Sequence, residues 1–145
     1  MSTRQVDFVL MLHSHLPYVL NHGRWPHGSD WLCEAALGTY LPLVAKLRQL
    51  ERGNTAAPVT LGVTPVLANQ LSHPAFAAEL DRYIAQRLAA CAEAAAAMPG
   101  TPDEPLLPLL AFWEARLVRL RALRDAIGGD VVGEFRRLQG AERLE

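Results

Sequence analysis

Two short apolar runs stand out in the pattern of hydrophobic and polar residues along the chain. The first, Phe8 to Leu12, has no polar break and leads into His13-Ser14-His15-Leu16-Pro17-Tyr18, and the second is Val59-Thr60-Leu61-Gly62-Val63. Such runs are typical of strands buried on both faces, as in a parallel sheet that helices cover. Pro17 must end the first strand, because proline lacks the N–H that a central ladder needs. We therefore predict two buried strands.

The remaining apolar residues recur at helical spacing. One helix is expected from Trp31, capped by Ser29 or Asp30, with a kink or break at Pro42 and an end at Gly53-Asn54. Other helices are predicted over residues 65–71, 74–97, about 107–127 and 131–139. The arginines within residues 116–124 alternate with leucines at helical spacing, which indicates a solvated face rather than a binding patch.

A strand, a helix and a second strand in this order form a crossover unit, whose two strands run parallel. Thr64 and Pro65 follow the second strand and fit an N-cap and a first helical turn. The carboxyl ends of parallel strands meet at one edge of the sheet, so we expect His13, His15 and Thr64 to share one rim. That edge is where α/β folds carry their chemistry.

Two interpretations of the histidine pair are open. In the structural one, each imidazole is hydrogen-bonded at the start of a loop and only fixes the backbone. In the functional one, His13 and His15 line a site as metal ligands or as donors to a substrate, because loops after buried strands often carry function. A zinc site needs three or four ligands, so two histidines alone do not establish a metal.

The composition narrows the function classes. Half of the 145 residues are apolar and a fifth are charged, which is ordinary for a soluble domain with one sizeable core. A net charge of −1 without a basic stripe gives nucleic acid little electrostatic reason to bind. No apolar window approaches the roughly 18 residues of a membrane span, so no membrane partner is expected. Cys33 and Cys91 lack metal-like spacing, which favours buried or free thiols in a reducing, cytoplasmic setting.

The predicted sheet is too small for the predicted helices. A two-stranded sheet is marginal alone, and the wide apolar stripes of the helices need a larger sheet to cover. The chain is therefore expected to be α/β, either as the N-terminal portion of a larger barrel or as a unit that pairs with another copy. Apolar surface left open would drive self-association.

Several segments carry a family resemblance. Phe8 to Val19 resembles the first motif of glycoside hydrolase family 57, and residues 62–71 resemble its second strand segment. The stretches His22-Gly23-Arg24-Trp25-Pro26 and Trp31-Leu32-Cys33-Glu34-Ala35 resemble the branching-enzyme subgroup of that family. The similarity extends over essentially all 145 residues, although only residues 1–75 carry specific motifs.

The resemblance implies an incomplete (β/α)7 barrel that acts on α-1,4-glucans such as amylose and glycogen, with retention and without a metal or cofactor. Residues 1–145 would be the N-terminal part of its single catalytic domain, with two parallel strands and several helices. The glutamate nucleophile and aspartate general acid of the family belong to motifs that do not occur in these residues. No catalytic residue is assigned here, and we expect the chain alone to be inactive.

The resemblance also suggests which residues contact substrate. His13 and His15 would hydrogen-bond the sugar or the nucleophile. Trp25 and Trp31 would stack on apolar pyranose faces, although as loop anchors they would simply pack locally. Glu34 is the only acidic residue expected near the rim, where it would order a substrate hydroxyl or support another ligand.

Two other function classes stay open. A metal-dependent amidohydrolase or phosphoesterase barrel also begins with His-x-His on its first strand, but no further metal-ligand motif follows in this sequence. The third class is a helical interaction domain without catalysis. Bound zinc would favour the metal-dependent enzyme. Binding of glucan would favour the family 57 enzyme.

Overall fold

The computed structural model describes residues 8–55 and 59–140, and within them two parallel strands pack beside a set of helices. The elements run in the order β1 (Leu10–Ser14), α1 (Ser29–Ala35), a π-helical turn (Ala36–Tyr40), α2 (Leu41–Arg52), β2 (Val59–Val63), α3 (Pro65–Leu71), α4 (Pro74–Ala97), a 3-10 turn (Glu104–Leu106), α5 (Leu107–Ala126) and α6 (Val131–Gly140). The register places Leu10 opposite Val59 and Ser14 opposite Val63. The predicted parallel crossover is therefore confirmed.

The helix predicted to kink or break at Pro42 does not break there but has a π-helical turn just before it. Proline has no N–H to donate and its ring crowds the carbonyl four residues earlier. The chain meets this constraint with the π-helical turn, in which the amide of Leu41 bonds five residues back, to the carbonyl of Ala36. Helical structure thus runs without interruption from Ser29 to Arg52.

The predicted N-caps at Ser29 and Asp30 are wrong. The N-cap position of α1 is Gly28, and no side chain caps this helix end. Ser29 and Asp30 instead direct their side chains to α4, where they bond to Glu79 and Arg82. The start of α4 does have a side-chain cap, because the Nδ1 atom of His73 accepts a hydrogen bond from the amide of Ala75 at 3.1 Å.

The core of the described chain is mainly helical. Apolar side chains from α1, α2, α3, α4 and α6 are almost fully removed from solvent and form one cluster. Its most deeply buried members include Leu32, Leu41, Val44, Leu67, Phe76, Leu80, Ile84, Val131 and Leu138. Val59, Leu61 and Val63 of β2 pack against this cluster and are half-buried. The helices predicted from periodicity are confirmed in position, and the inward stripes of α4 and α6 are confirmed as well. The stripe predicted for α5 is wrong for this chain, because Leu120 is buried while Leu109 and Trp113 are exposed.

The prediction that β1 is buried on both faces is wrong for this chain. Phe8 is 86% exposed and Met11 is 65% exposed, and Leu10 and Leu12 are exposed as well. The physical reason is the size of the sheet: β1 pairs only with β2 in the described residues, so neither its other edge nor its outer face is covered. In the same residues, each helix is too short or too polar to cross a membrane.

Candidate functional site

The carboxyl ends of β1 and β2 meet at one rim, as the sequence predicts. The amide of Thr64 donates a hydrogen bond to the carbonyl of Ser14 at 3.2 Å, which joins the residues at the ends of the two strands. His13 lies opposite Gly62 in the register, and His15 directly follows β1. We call His13, His15 and Thr64 the rim.

The side chain of His13 uses the space left by the missing side chain of Gly62. A Cβ atom at Gly62 would lie 3.3 Å from the Nδ1 atom of His13, which is closer than ordinary van der Waals contact. Both imidazoles are exposed, and neither hydrogen-bonds to another residue in the described ranges. Within the described residues, no side-chain hydrogen bond supports the interpretation of His13 and His15 as structural loop anchors. The hydroxyl of Thr64 is buried and also has no partner among these residues.

A buried amide side chain holds the backbone that leaves β1. Gln70 of α3 is fully buried, and its Oε1 atom accepts hydrogen bonds from the amides of Val19 at 2.7 Å and Leu20 at 3.4 Å. Its Nε2 atom donates to the carbonyls of Pro17 at 3.0 Å and Val66 at 3.4 Å. Bonds from one side chain to three backbone groups of the 17–20 segment fix its path. The role of Gln70 could not be predicted from the sequence, because a single polar residue in a short helix carries no local signal of burial.

The next loop, residues 21–28, is tied to α4 by ion pairs. Arg24 donates from Nε and Nη2 to the two carboxylate oxygens of Glu79, both at 3.0 Å. Ser29 and Arg82 donate to the same carboxylate at 3.0 and 2.9 Å. The Arg24 hydrogen bonds are the largest cause that lowers the pKa of Glu79 to about 2, against the opposing effect of burial. Arg82 also pairs with Asp30, so the loop and the start of α1 share one network.

The two predicted sugar-stacking residues differ in exposure. Trp25 follows Arg24 directly and is 80% exposed, so its indole is open to a ligand. Trp31 is 38% exposed and packs edge-on against the ring of His27, with centroids 5.7 Å apart. The contact with His27 fits local packing, and the exposed part of the Trp31 ring fits contact with a ligand. No comparison tests a substrate role for either, and both stay predictions.

The structure places Glu34 away from the rim. Glu34 is exposed on α1 and lines a cleft that α4 and α5 complete, and no rim residue lines that cleft. Its predicted role at the rim has no geometric support here. Cys33, next to it, is buried, and desolvation raises the pKa of its thiol to about 12. No group of three or more histidine, cysteine or acidic side chains that would hold a metal occurs within residues 8–55 and 59–140.

Sequence comparison relates almost the whole chain to branching enzymes. A 1,4-alpha-glucan branching enzyme of Thermococcus kodakarensis is 34% identical over 138 residues, which is 93% of this chain and 19% of the relative. A probable 1,4-alpha-glucan branching enzyme of Mycobacterium tuberculosis is 46% identical over 67 residues, or 46% of this chain and 13% of the relative. No protein-family model matches the chain.

Solved structures give the same relationship. A GH57-type branching enzyme from Pyrococcus horikoshii superposes with a TM-score of 0.89 at 31% identity, over 94% of this chain and 25% of that one. An alpha-amylase of Thermotoga maritima superposes with a TM-score of 0.81 at 22% identity, over 94% of this chain and 26% of that one, which supports the fold alone. The chain thus spans about a fifth to a quarter of the length of these relatives. By sequence and by fold, the chain is similar to GH57 branching enzymes, and its two parallel strands and its helices match an N-terminal part of their (β/α)7 barrel.

Proposed function

We propose that the rim and the 21–28 loop are part of the glucan-binding surface of a family 57 branching enzyme, which remodels α-1,4-glucans by transglycosylation with retention. The observation that carries this proposal is the presentation of Trp25. Its indole is open to solvent while the adjacent Arg24 is fixed on Glu79 through two hydrogen bonds. A large exposed aromatic on an anchored loop is the arrangement that binds a ligand with little loss of side-chain entropy.

The chemistry of the rim fits a role in orienting a sugar. Each exposed imidazole of His13 and His15 is free to donate and to accept a hydrogen bond. Sugar hydroxyls need both kinds of partner, and the apolar C–H face of a pyranose ring matches the face of an indole. Gly62 leaves His13 the room to turn toward a ligand on that side of the strands.

The chemical step needs carboxyl groups that these residues do not supply. Retaining glycosidases use two carboxyl groups roughly 5–5.5 Å apart, one as nucleophile and one as acid and base. Near the 21–28 loop, Glu79 and Asp30 are both held in ion pairs with arginine. The part of this chain in the reaction is therefore to bind and orient glucan, while the nucleophile and acid lie in other motifs of the family.

Titration of the purified chain with maltohexaose tests the proposal. Binding should be followed by calorimetry, with cellotetraose as the β-linked control. Trp25→Ala should weaken maltohexaose binding about tenfold, since it removes an exposed aromatic ring on which a sugar can stack. Phe112→Ala is the matched control, because Phe112 is also exposed but lies on α5. A folded chain that binds no maltohexaose would contradict the proposal, and zinc uptake by His13 and His15 would favour the metal-dependent class instead.

A further inference from the structure

A second cleft lies apart from the rim, between α1, α4 and α5. Its volume is about 630 Å3, within the range of roughly 300–1,000 Å3 that is typical of small-molecule sites. α5 packs against α4 and α2. The cleft is lined by Glu34 of α1, Gly38 of the π-helical turn, Arg87 of α4, and Trp113 and Arg116 of α5.

In this cleft, an arginine guanidinium group lies near each of two aromatic rings. Trp113 is 49% exposed, and the guanidinium of Arg116 lies 5.8 Å from its ring. The guanidinium of Arg87 lies 4.6 Å from the ring of Tyr83, and its Nη2 atom donates to the Tyr83 hydroxyl at 2.7 Å. These contacts place both arginines beside a ring, and Arg87 is exposed while Arg116 is half-buried.

The charged groups of the cleft are not paired with one another. Glu34, Arg87 and Arg116 form no salt bridge with any residue in the described ranges. The lining therefore offers a carboxylate that accepts hydrogen bonds and two guanidinium groups that donate them. The indole of Trp113, which is about half exposed, lines the cleft together with these groups.

This combination selects a class of ligand. A neutral polyol donates and accepts through the same hydroxyl groups, so it can use both kinds of charged partner. An anionic ligand would meet Glu34, and an apolar peptide would have to remove three charges from water without compensation. A pyranose ring also has the apolar face that Trp113 can stack against.

We infer that this cleft is a second binding site for a short α-1,4-glucan segment, which stacks on Trp113 and hydrogen-bonds to Arg116, Arg87 and Glu34. The choice of an α-glucan rests on the proposed function, whereas the polyol class follows from the lining. The sequence alone indicated a solvated arginine face at residues 116–124. In the structure, Arg116 is not part of a purely solvated face, because it lines a cleft together with residues of α1 and α4.

Cys91 provides a direct reporter of occupancy. It lines the cleft and is half-buried, whereas Cys33 is fully buried. Burial raises the pKa of the Cys33 thiol to about 12, so a thiol reagent at pH 8 should modify Cys91 selectively. Maltohexaose should slow iodoacetamide alkylation of Cys91 at least about fivefold, measured by mass spectrometry of the peptide that contains it. Calorimetry should find two maltohexaose sites per chain.

Matched variants separate the cleft from the rim. Trp113→Ala should abolish the protection of Cys91, while Val118→Ala, at an exposed residue of α5 that does not line the cleft, should keep it. Arg116→Gln, which alters a half-buried side chain, should reduce the protection, and Arg121→Gln on the same helix should not, because Arg121 does not line the cleft. If circular dichroism shows that Trp113→Ala does not fold, the comparison of Arg116→Gln with Arg121→Gln tests the cleft site instead. Trp25→Ala should leave the protection intact.

The outcomes distinguish this inference from the proposed function. Unprotected Cys91 in a chain that binds maltohexaose through Trp25 would overturn the cleft site and leave the proposed function standing. A folded chain that binds no maltohexaose at either place would overturn both. Equal protection by cellotetraose would overturn the assignment to α-glucan. Protection of Cys91 that survives both Trp113→Ala and Arg116→Gln would overturn the cleft site.

Discussion

The side-chain carbonyl of Gln70 accepts a hydrogen bond from the amide of Val19 at 2.7 Å, across 51 positions of sequence. The helix of the second β/α unit thereby fixes the chain that leaves the first strand. Because Gln70 also donates to the carbonyl of Pro17, it satisfies both a donor and an acceptor in a segment that no strand partner reaches. The loop with Trp25 begins directly after this clamped segment.

Replacement of this clamp should be costly. Gln70→Leu keeps the approximate volume but leaves the amide of Val19 and the carbonyl of Pro17 without their partner. Unsatisfied buried groups of this kind cost roughly 1–3 kcal/mol each, so we expect the free energy of unfolding to fall by about 2–4 kcal/mol. Urea denaturation measures this change. The matched control is Gln139→Leu on the exposed side of α6, for which a comparable loss would show that the clamp has no special role.

The Glu79 network should make stability depend on pH. Because hydrogen bonds from Arg24 lower the folded pKa of Glu79 to about 2, its carboxylate stabilises the fold at pH values above its ordinary pKa. That contribution should be lost progressively as the pH falls from about 5 to 2. Glu79→Gln should be less stable than wild type at pH 7, by on the order of 1–2 kcal/mol after allowance for solvent screening, and should lose most of the difference by pH 2.

Urea unfolding at several pH values, with Glu93→Gln as control, tests this dependence. Glu93 is exposed on the same helix and makes no ion pair with the described residues. If the difference in the free energy of unfolding between wild type and Glu79→Gln stays constant between pH 5 and 2, the predicted role of Glu79 is ruled out.

Gly62 should control the orientation of His13. A Cβ atom at this position would lie 3.3 Å from the Nδ1 atom of His13, and the branched side chain of valine would require still more of the same space. Valine suits a strand, so Gly62→Val should cost little stability but displace the imidazole. The His13 ring resonances in NMR spectra should shift, and maltohexaose binding at the rim should weaken severalfold. Gly62→Ala should cause a smaller change of the same kind, and unchanged His13 resonances in Gly62→Val would contradict the prediction.

Much of the fold could be predicted because its signals are local. The apolar runs located β1 and β2, the order of elements gave their parallel pairing, and the helical periods gave the inward faces of α4 and α6. Burial of β1 could not be predicted in the same way, because burial depends on which elements lie beside a strand. At Pro42 the sequence left a kink and a break open, because a wider helical turn that admits proline has no sequence signal of its own.

The site was harder to predict than the fold. His13 and His15 follow an apolar strand, so their shared rim with Thr64 was visible in the sequence. The side chains that hold the neighbouring loop, Gln70 and Glu79, lie about 50 positions from their partners. Contacts at that separation are set by how helices pack, which no single pattern of residues encodes. Glu34, expected near the rim, lines the second cleft, and its role toward substrate stays a prediction.

The isolated chain should self-associate. Phe8 and Met11 are large, exposed apolar residues at and beside an uncovered strand, and such edges pair with other chains. Light scattering should show oligomers whose mass rises with protein concentration. Met11→Lys should shift the distribution toward monomer, since a charge on an edge strand opposes pairing, whereas Lys46→Gln on α2 should not. A monodisperse wild-type monomer with a cooperative thermal transition would count against this expectation.

The chain of 145 residues should have no branching activity on its own. Its carboxyl groups nearest the 21–28 loop are committed to structure, because Asp30 pairs with Arg82 and Glu79 accepts hydrogen bonds from two arginines and a serine. With a pKa of about 2, Glu79 holds no proton to donate near neutral pH, so it cannot protonate a leaving glycosidic oxygen. An iodine-stain assay on amylose measures branching, with a full-length family 57 branching enzyme as the positive control. Branching by the purified chain that disappears in Glu79→Gln would show that this carboxylate is catalytic after all.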